Sequence, residues 1–295
     1  MWLTEYPTLR AFLVQLVLGL VNGSFYALLS LGLAVIFGML NVINFAHGAL
    51  YMLGAFVAWL MLTHLGIGYF PALLLAPLIV GLAGLAIDRV FLKPLRGLDH
   101  LYGLLLTFGL ALVLEGLFRL RFGVAGQPYP VPELLQGAVP LGFMMLPKYR
   151  AWVVLASATV CFSTWFAIER TRLGATLRAA TENPNLVQAF GVNVPALVAL
   201  TYAGGAALAG LAGVLAAPMY QVSPLMGSNL IIVVFAVVVI GGMGSILGAI
   251  VSGFALGMLE GATKVLYPEA ANIAIFVAMA IVLLIKPAGL FGREK

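Results

Sequence analysis

Between Arg10 and Asp88 the chain contains no Asp, Glu, Lys or Arg, and between Glu182 and Glu260 it again contains none. A soluble domain draws about a quarter of its residues from these four types. Here they make up 8% of 295 residues, against 63% hydrophobic, and the mean hydropathy is +1.12. Such a chain has too little polar surface to face water and must fold in a bilayer. The two charge-free stretches are equal in length, and each holds about three helical spans at roughly 20 residues apiece. The alternating short segments of a membrane barrel are absent, so the spans are helices, which satisfy their own backbone polar groups without water. The expected fold class is an all-α polytopic membrane protein.

Glycine, proline and charge divide the chain into spans. Residues 11–37 are apolar, too long for a signal-peptide core and without a clear small-residue cleavage site, so they read as a retained first span. Gly38-Met-Leu-Asn-Val-Ile-Asn-Phe-Ala-His-Gly48 then places two asparagines, a histidine and two glycines in apolar surroundings. That composition predicts a broken helix, tolerated at membrane depth only where unwound backbone is buried in protein or lines a watery cavity. Further spans are expected near residues 45–63, 71–87, 101–118, 151–168, 195–217, 230–239, 249–263 and 272–285, with a second glycine break at Ile240–Gly248. This makes nine spans, with eight or ten as alternatives, in a single domain of residues 1–295. Gly205, Ala209 and Gly213, like Gly253, Gly257 and Gly261, recur every four residues and predict faces for close helix packing. Residues 88–96 read as a basic loop, and proline-rich 119–150 as the longest connection. Gly38-Met39 and Gly242-Met243 sit in similar settings and hint at an internal repeat.

Basic residues orient the chain. Arg89, Lys93, Arg96, Arg170, Arg172, Arg178, Lys286, Arg293 and Lys295 fall on one side; Arg119, Arg121, Lys148, Arg150 and Lys264 fall on the other. The richer side is expected to be cytoplasmic. Nine spans then leave the N-terminus, the nearby Arg10 and the 119–150 connection outside. The net charge of +5 reports these loops rather than nucleic acid. On the cytoplasmic side, residues 169–194 form the most polar helix-forming segment. Asn183 suits an N-cap, Pro184 the first helical position and Gly191 the residue past the end. Leu186 and Phe190 lie four apart with Val187 beside them, and are expected to share an apolar face, with Arg172 and Arg178 nearby.

The chemistry of an enzyme is missing from the sequence. No lysine follows a glycine, so there is no phosphate-binding loop; three scattered histidines and one cysteine give no metal-ligand spacing; no nucleophile elbow is present. The expectation is a non-enzyme with no cofactor of its own. Cys161, in an apolar run, reads as a small core residue. Asn22, Asn41, Asn44 and His47, with Gly241, Gly242 and Gly244 at the second break, are candidates for lining a substrate pathway, the alternative being helix-to-helix bonding and packing. Glu115 and Glu260 lie near the outer ends of their spans, where a carboxylate either serves a function or reaches the interface.

Asn22-Gly-Ser-Phe-Tyr-Ala-Leu-Leu-Ser-Leu-Gly-Leu33 and Phe37-Gly-Met-Leu-Asn-Val-Ile-Asn-Phe-Ala-His-Gly-Ala-Leu-Tyr-Met-Leu-Gly-Ala55 strongly resemble the LivH-type permeases of bacterial branched-chain amino acid ABC importers. So do Leu173-Gly-Ala-Thr-Leu-Arg-Ala-Ala-Thr-Glu-Asn-Pro184, Gly191-Val192 and Gly241-Gly-Met-Gly-Ser-Ile-Leu-Gly-Ala249. The likeness covers nearly the whole chain. It implies an inner-membrane permease paired with a second, related permease, two ATPase subunits that bind ATP and Mg, and a periplasmic binding protein. Arg172, Arg178, Leu186, Val187, Phe190 and Gly191 are then expected to couple this chain to an ATPase. Ala49 stands where these permeases often have Glu after His-Gly, which leaves the substrate open among branched-chain amino acids, other amino acids, amides and urea. An ion-coupled secondary transporter would need a charged group near mid-span, and no Asp, Glu, Lys or Arg lies there. A passive channel would leave the helices at 170–191 unexplained.

Overall fold

A computed structural model describes residues 7–40 and 43–292. They form helices α1 (Pro7–Leu40), α2 (Ala46–Leu65), α3 (Tyr69–Ile87) and α4 (His100–Phe122), then a hairpin of β1 (Ala138–Pro140) and β2 (Met145–Pro147). After it come α5 (Lys148–Arg170), α6 (Arg172–Glu182), α7 (Pro184–Ala189), α8 (Val194–Ala216), α9 (Met226–Gly241), α10 (Ile246–Leu266) and α11 (Ala271–Ile285). Among the described residues eight helices are long and apolar enough to cross a membrane, and α9 is a shorter apolar helix. The all-α polytopic class is what the charge-free stretches required.

Both expected breaks are present. The first falls between Leu40 and Ala46; Asn41 of the candidate pathway lies outside the described residues. The second falls between Gly241 and Ile246, where Gly242 (φ 101°) and Gly244 (φ 83°) hold left-handed backbone that a Cβ would strain. The Ser245 hydroxyl restarts the helix by accepting from Gly248 N at 3.1 Å.

Residues 88–95 depart from the expected loop. The chain continues from α3 through a π-helical turn, Asp88–Leu92, and a 3-10 turn, Lys93–Leu95. Asp88 is fully buried and accepts from Arg96 Nη2 at 2.5 Å. Within this segment, expected as a basic loop, the Asp88–Arg96 pair is folded against the helix ends, where each charge neutralises the other.

The residues pack as two units, and α1, α5 and α9 contribute to both. The first takes in residues 1–30, 131–161 and 233–295. Its centre is a glycine seam between α1 and α10, where Gly19 and Gly23 meet the backbone of Gly253–Met258 and a Cβ on Gly257 would strike Gly23. Ser30 Oγ crosses the seam to Ala249 O at 3.1 Å. Glu260 does not reach out to the interface as a snorkelling carboxylate would. It is buried, accepting from the Tyr26 hydroxyl at 2.6 Å and from Lys264 Nζ at 2.5 Å. Arg10 Nε donates to Phe143 O at 2.8 Å, so α1 starts on the same side as the long connection.

The second unit takes in residues 31–130 and 162–232. Helices α2, α3 and α8 form its core around Tyr51, Phe56 and Tyr202. The small residues of α8 set the spacing, since Gly205 meets Gly32 and Ile36 of α1, and Gly213 meets the backbone of Tyr51 and Ala55 of α2. A bridge between Gln127 and Val222 and an edge-to-face contact of Tyr129 with Tyr69 tie down the start of the long connection. Burial, with Tyr69 alongside, pushes the Tyr129 hydroxyl up to about 12, so it stays neutral at any physiological pH. Cys161, in the first unit, is buried, as its apolar run implied.

Candidate functional site

The site grows from the first break, in the second unit. Asn44 is the residue that makes the break a defined structure. Its Oδ1 accepts from Ala46 N at 3.1 Å and so satisfies the first amide of α2, while its Nδ2 donates to the Tyr202 hydroxyl of α8 at 3.0 Å. One residue on, Phe45 N donates to Thr107 Oγ1 of α4 at 3.2 Å. Freed backbone groups are thus re-satisfied by side chains of neighbouring helices, as the bilayer demands. Asn44, Tyr202 and Thr107 also line a cavity of about 200 Å³. Its apolar wall is Ile36, Met39, Leu40 and Val198; Arg96 and Asp99, of opposite sign, belong to its lining on the side of the α3–α4 connection. Asp99 also caps α4, accepting from Leu101 N at 2.9 Å.

The other pathway candidates fare differently. His47 is fully buried, with its ring against Gly32 of α1. Asn22, half-buried in α1, and Gly241, Gly242 and Gly244 fall in the first unit. Gly241 packs on Gly248, and Gly242 packs on Gly289 and Gly292. The tail caps the end of α9: Leu290 N donates to Ile240 O at 2.8 Å and Phe291 N to Gly241 O at 3.1 Å. The second break therefore meets the chain's own tail at Gly241 and Gly242.

The helices α6 and α7 follow their sequence signals closely. Asn183 Oδ1 accepts from Leu186 N at 3.0 Å, Pro184 opens α7, and Gly191 follows it with φ 84°. Gly174 lets α6 sit directly on the Ile168 carbonyl, where a Cβ would not fit. Arg178 Nη1 donates to that same carbonyl at 2.9 Å and pairs with Glu169 at 3.4 Å, so it fastens α6 to the end of α5; Arg172 is left exposed.

The shared face expected for Leu186, Val187 and Phe190 splits in two. Phe190 is 80% exposed and Leu186 53%, whereas Val187 is 8% exposed. Residues four apart stack on one face, but the neighbour at +1 is turned about 100° away. Val187 joins Ala180, Val194 and Val198 in an inner cluster against which Met39 and Leu40 of α1 pack. Thr181 Oγ1 approaches Gly38 O at 3.4 Å and Met39 Sδ at 3.2 Å. Met39, Leu40 and Val198 therefore belong both to the cavity wall and to the seat of α6 and α7. The wall between them is one side chain thick.

Sequence reasoning found Asn44 but not Tyr202, Thr107, Arg96 or Asp99. Asp99 was findable, because an Asp just before an apolar helix is an N-cap signal. The Tyr202 hydroxyl, beside Thr201 in an Ala/Gly-rich span, was a weaker one. Arg96 and Asp88 pair across a π turn, which no 3.6-residue periodicity reveals.

The fold is polytopic and helical, with two breaks and a pair of short helices that expose Leu186 and Phe190. The family model described as the permease component of branched-chain amino acid transport systems matches residues 15–285, and the chain belongs to that family. It is similar to the high-affinity branched-chain amino acid transport system permease protein BraD of Pseudomonas aeruginosa, 32% identical with 98% of each chain covered. It is also similar to the LivH permease protein of the same description from Escherichia coli K12, 32% identical with 96% of each chain covered. A probable LivH permease of Methanocaldococcus jannaschii is 28% identical over 93% of this chain. No solved structure matches. The chain is thus a multi-pass membrane permease of the LivH type.

Proposed function

We propose that this chain is the transmembrane subunit of an ATP-driven importer for branched-chain amino acids in the bacterial inner membrane. It supplies half of the translocation pathway and pairs with a second, related permease. Two ATPase subunits bind ATP and Mg, a periplasmic binding protein delivers the substrate, and this chain carries no cofactor. The names of its relatives support the substrate class. The excess of basic residues around α6 and α7 and in the α3–α4 connection supports a cytoplasmic position for those segments.

One observation carries the coupling role. Helices α6 and α7 present Phe190 and Leu186 outward, while their inner faces rest on the end of α1 beside the first break. A large aromatic seated in a partner's pocket dominates an interface, and Phe190 is that anchor. Arg172 steers the encounter more than it adds affinity. Truncating Phe190 to Ala is expected to cost about 2 kcal/mol of docking energy. The test is co-purification of the ATPase with wild-type and Phe190→Asp permeases, together with ATP hydrolysis with and without loaded binding protein. Loss of both in the variant supports the reading; full retention of both removes α7 from the coupling role.

A further inference from the structure

The cavity under α6 and α7 has the chemistry of a small-molecule site, and that chemistry narrows the occupant. Pockets for drug-sized ligands run to about 300–1,000 Å³, so a cavity of about 200 Å³ suits something smaller. Ile36, Met39, Leu40 and Val198 offer an aliphatic surface; Asn44 and Tyr202 offer hydrogen-bonding groups; Arg96, already paired with Asp88, offers its remaining donors, and Asp99 offers an exposed carboxylate. Arg96 commits Nη2 to Asp88, and its guanidinium has further donors; Asp99 spends one oxygen on Leu101 N and keeps the other. A plain anion would meet Asp99, and a plain cation would leave the buried Nε of Arg96 without an acceptor. A zwitterion with an aliphatic side chain satisfies the Arg96 donors with its carboxylate, Asp99 with its ammonium, and the wall with its side chain.

We infer that this cavity binds a free aliphatic amino acid from the cytoplasmic side, and that its occupancy slows the transporter. The inference rests on the proposed orientation and substrate class. Its sign follows from the one-side-chain wall. Met39, Leu40 and Val198 hold the inner faces of α6 and α7 on one side and line the cavity on the other. A stroke that moves α6 and α7 against α8 must reshape that wall, and the cavity with it. A ligand fitted to the present shape binds the reshaped one less well, and so holds the protein in the present state. Accumulated product would then brake its own import.

The experiment uses the complete transporter in proteoliposomes, with loaded binding protein and labelled leucine outside, ATP inside and unlabelled leucine inside at graded concentrations. Internal leucine should lower the initial uptake rate and the ATPase rate together. Isoamylamine and isocaproate, each with one of leucine's two charges, should not do so at the same concentrations. Asp99→Asn keeps an N-cap for α4 but removes the carboxylate. Relative to its own rate in leucine-free vesicles, it should need about tenfold more internal leucine for half inhibition, the scale of one lost charge-assisted bond. Leu98→Trp, which crowds the cavity from its exposed edge, should blunt inhibition by a different route. Import that is indifferent to internal leucine overturns the site while leaving the proposed function standing. Equal inhibition by isocaproate overturns the zwitterion assignment. A wild-type complex that imports no branched-chain amino acid overturns the functional reading and this inference with it.

Discussion

At the scale of single residues, the buried charges explain most of what was misread. Glu260 was expected near an interface, yet its side chain is 6% exposed and Lys264, one turn on, is 37% exposed. The lysine reaches inward far enough to neutralise the carboxylate and outward far enough to stay partly hydrated. Lys264→Met should therefore strand Glu260 with only the Tyr26 hydroxyl and destabilise the protein by about 3 kcal/mol. Adding Glu260→Met should recover most of that loss, because two apolar side chains leave nothing unpaired. Thermal unfolding of the two purified variants checks this; an intact single variant, or a double variant no better than the single, would show that the pair is idle. Position in a span was legible from sequence, but direction was not. Glu260 points inward because Tyr26, 234 residues away in sequence, stands opposite it. No local pattern encodes such a meeting, and the same holds for Asn44 with Tyr202 and for Asp88 with Arg96.

At the scale of elements, the sequence spoke most clearly at helix ends. Asn183, Pro184 and Gly191 sit where capping chemistry puts them, and both breaks occur where they were expected, the first held by Asn44 while Gly38 and Gly48 stay helical, the second built on the positive φ of Gly242 and Gly244. Faces were less legible. A helix as short as α7 has too few residues for periodicity to separate Val187 from Leu186, and its fastening to α6 and α8 decides which way it turns. Two variants separate these roles. Asn183→Ala removes the cap and should cost about 1 kcal/mol, seen as weaker ATPase co-purification rescued by Asn183→Asp. Gly174→Val drives a side chain into the Ile168 carbonyl and should lift α6 from α5. Overpacking of that kind costs about 1–3 kcal/mol, so the variant should assemble but lose the stimulation of ATP hydrolysis by loaded binding protein. Normal stimulation in Gly174→Val would mean that α6 need not be seated for coupling.

At the scale of the whole molecule, the charge-free stretches were enough to settle class and approximate span number, since a bilayer leaves few alternatives for such a chain. Orientation is the next claim open to direct measurement. Arg10 bonds to Phe143 in the long connection, which puts the start of α1 with the side poorer in basic residues. The single native cysteine is buried, so it gives little background to a thiol reagent. A cysteine introduced at exposed Asn185 should react with an impermeant maleimide only in inside-out vesicles. Reaction in right-side-out spheroplasts would invert the topology and move the proposed ATPase surface to the wrong face.

The tail against the second break has a consequence for biogenesis. Ile240 and Gly241 end α9 with carbonyls whose donors, Leu290 and Phe291, come some fifty residues later. A ribosome extends the chain in one direction, so α9 enters the bilayer before its cap has been translated. Until the tail emerges, those carbonyls depend on water or on the insertion machinery, since lipid offers them nothing. The nascent protein thus completes the end of α9 only after Phe291 has been made. A chain stopped after Pro287 should still insert, yet be cleared by membrane proteases faster than the full-length protein in a pulse-chase experiment. Equal lifetimes would show that α9 closes without its late partner.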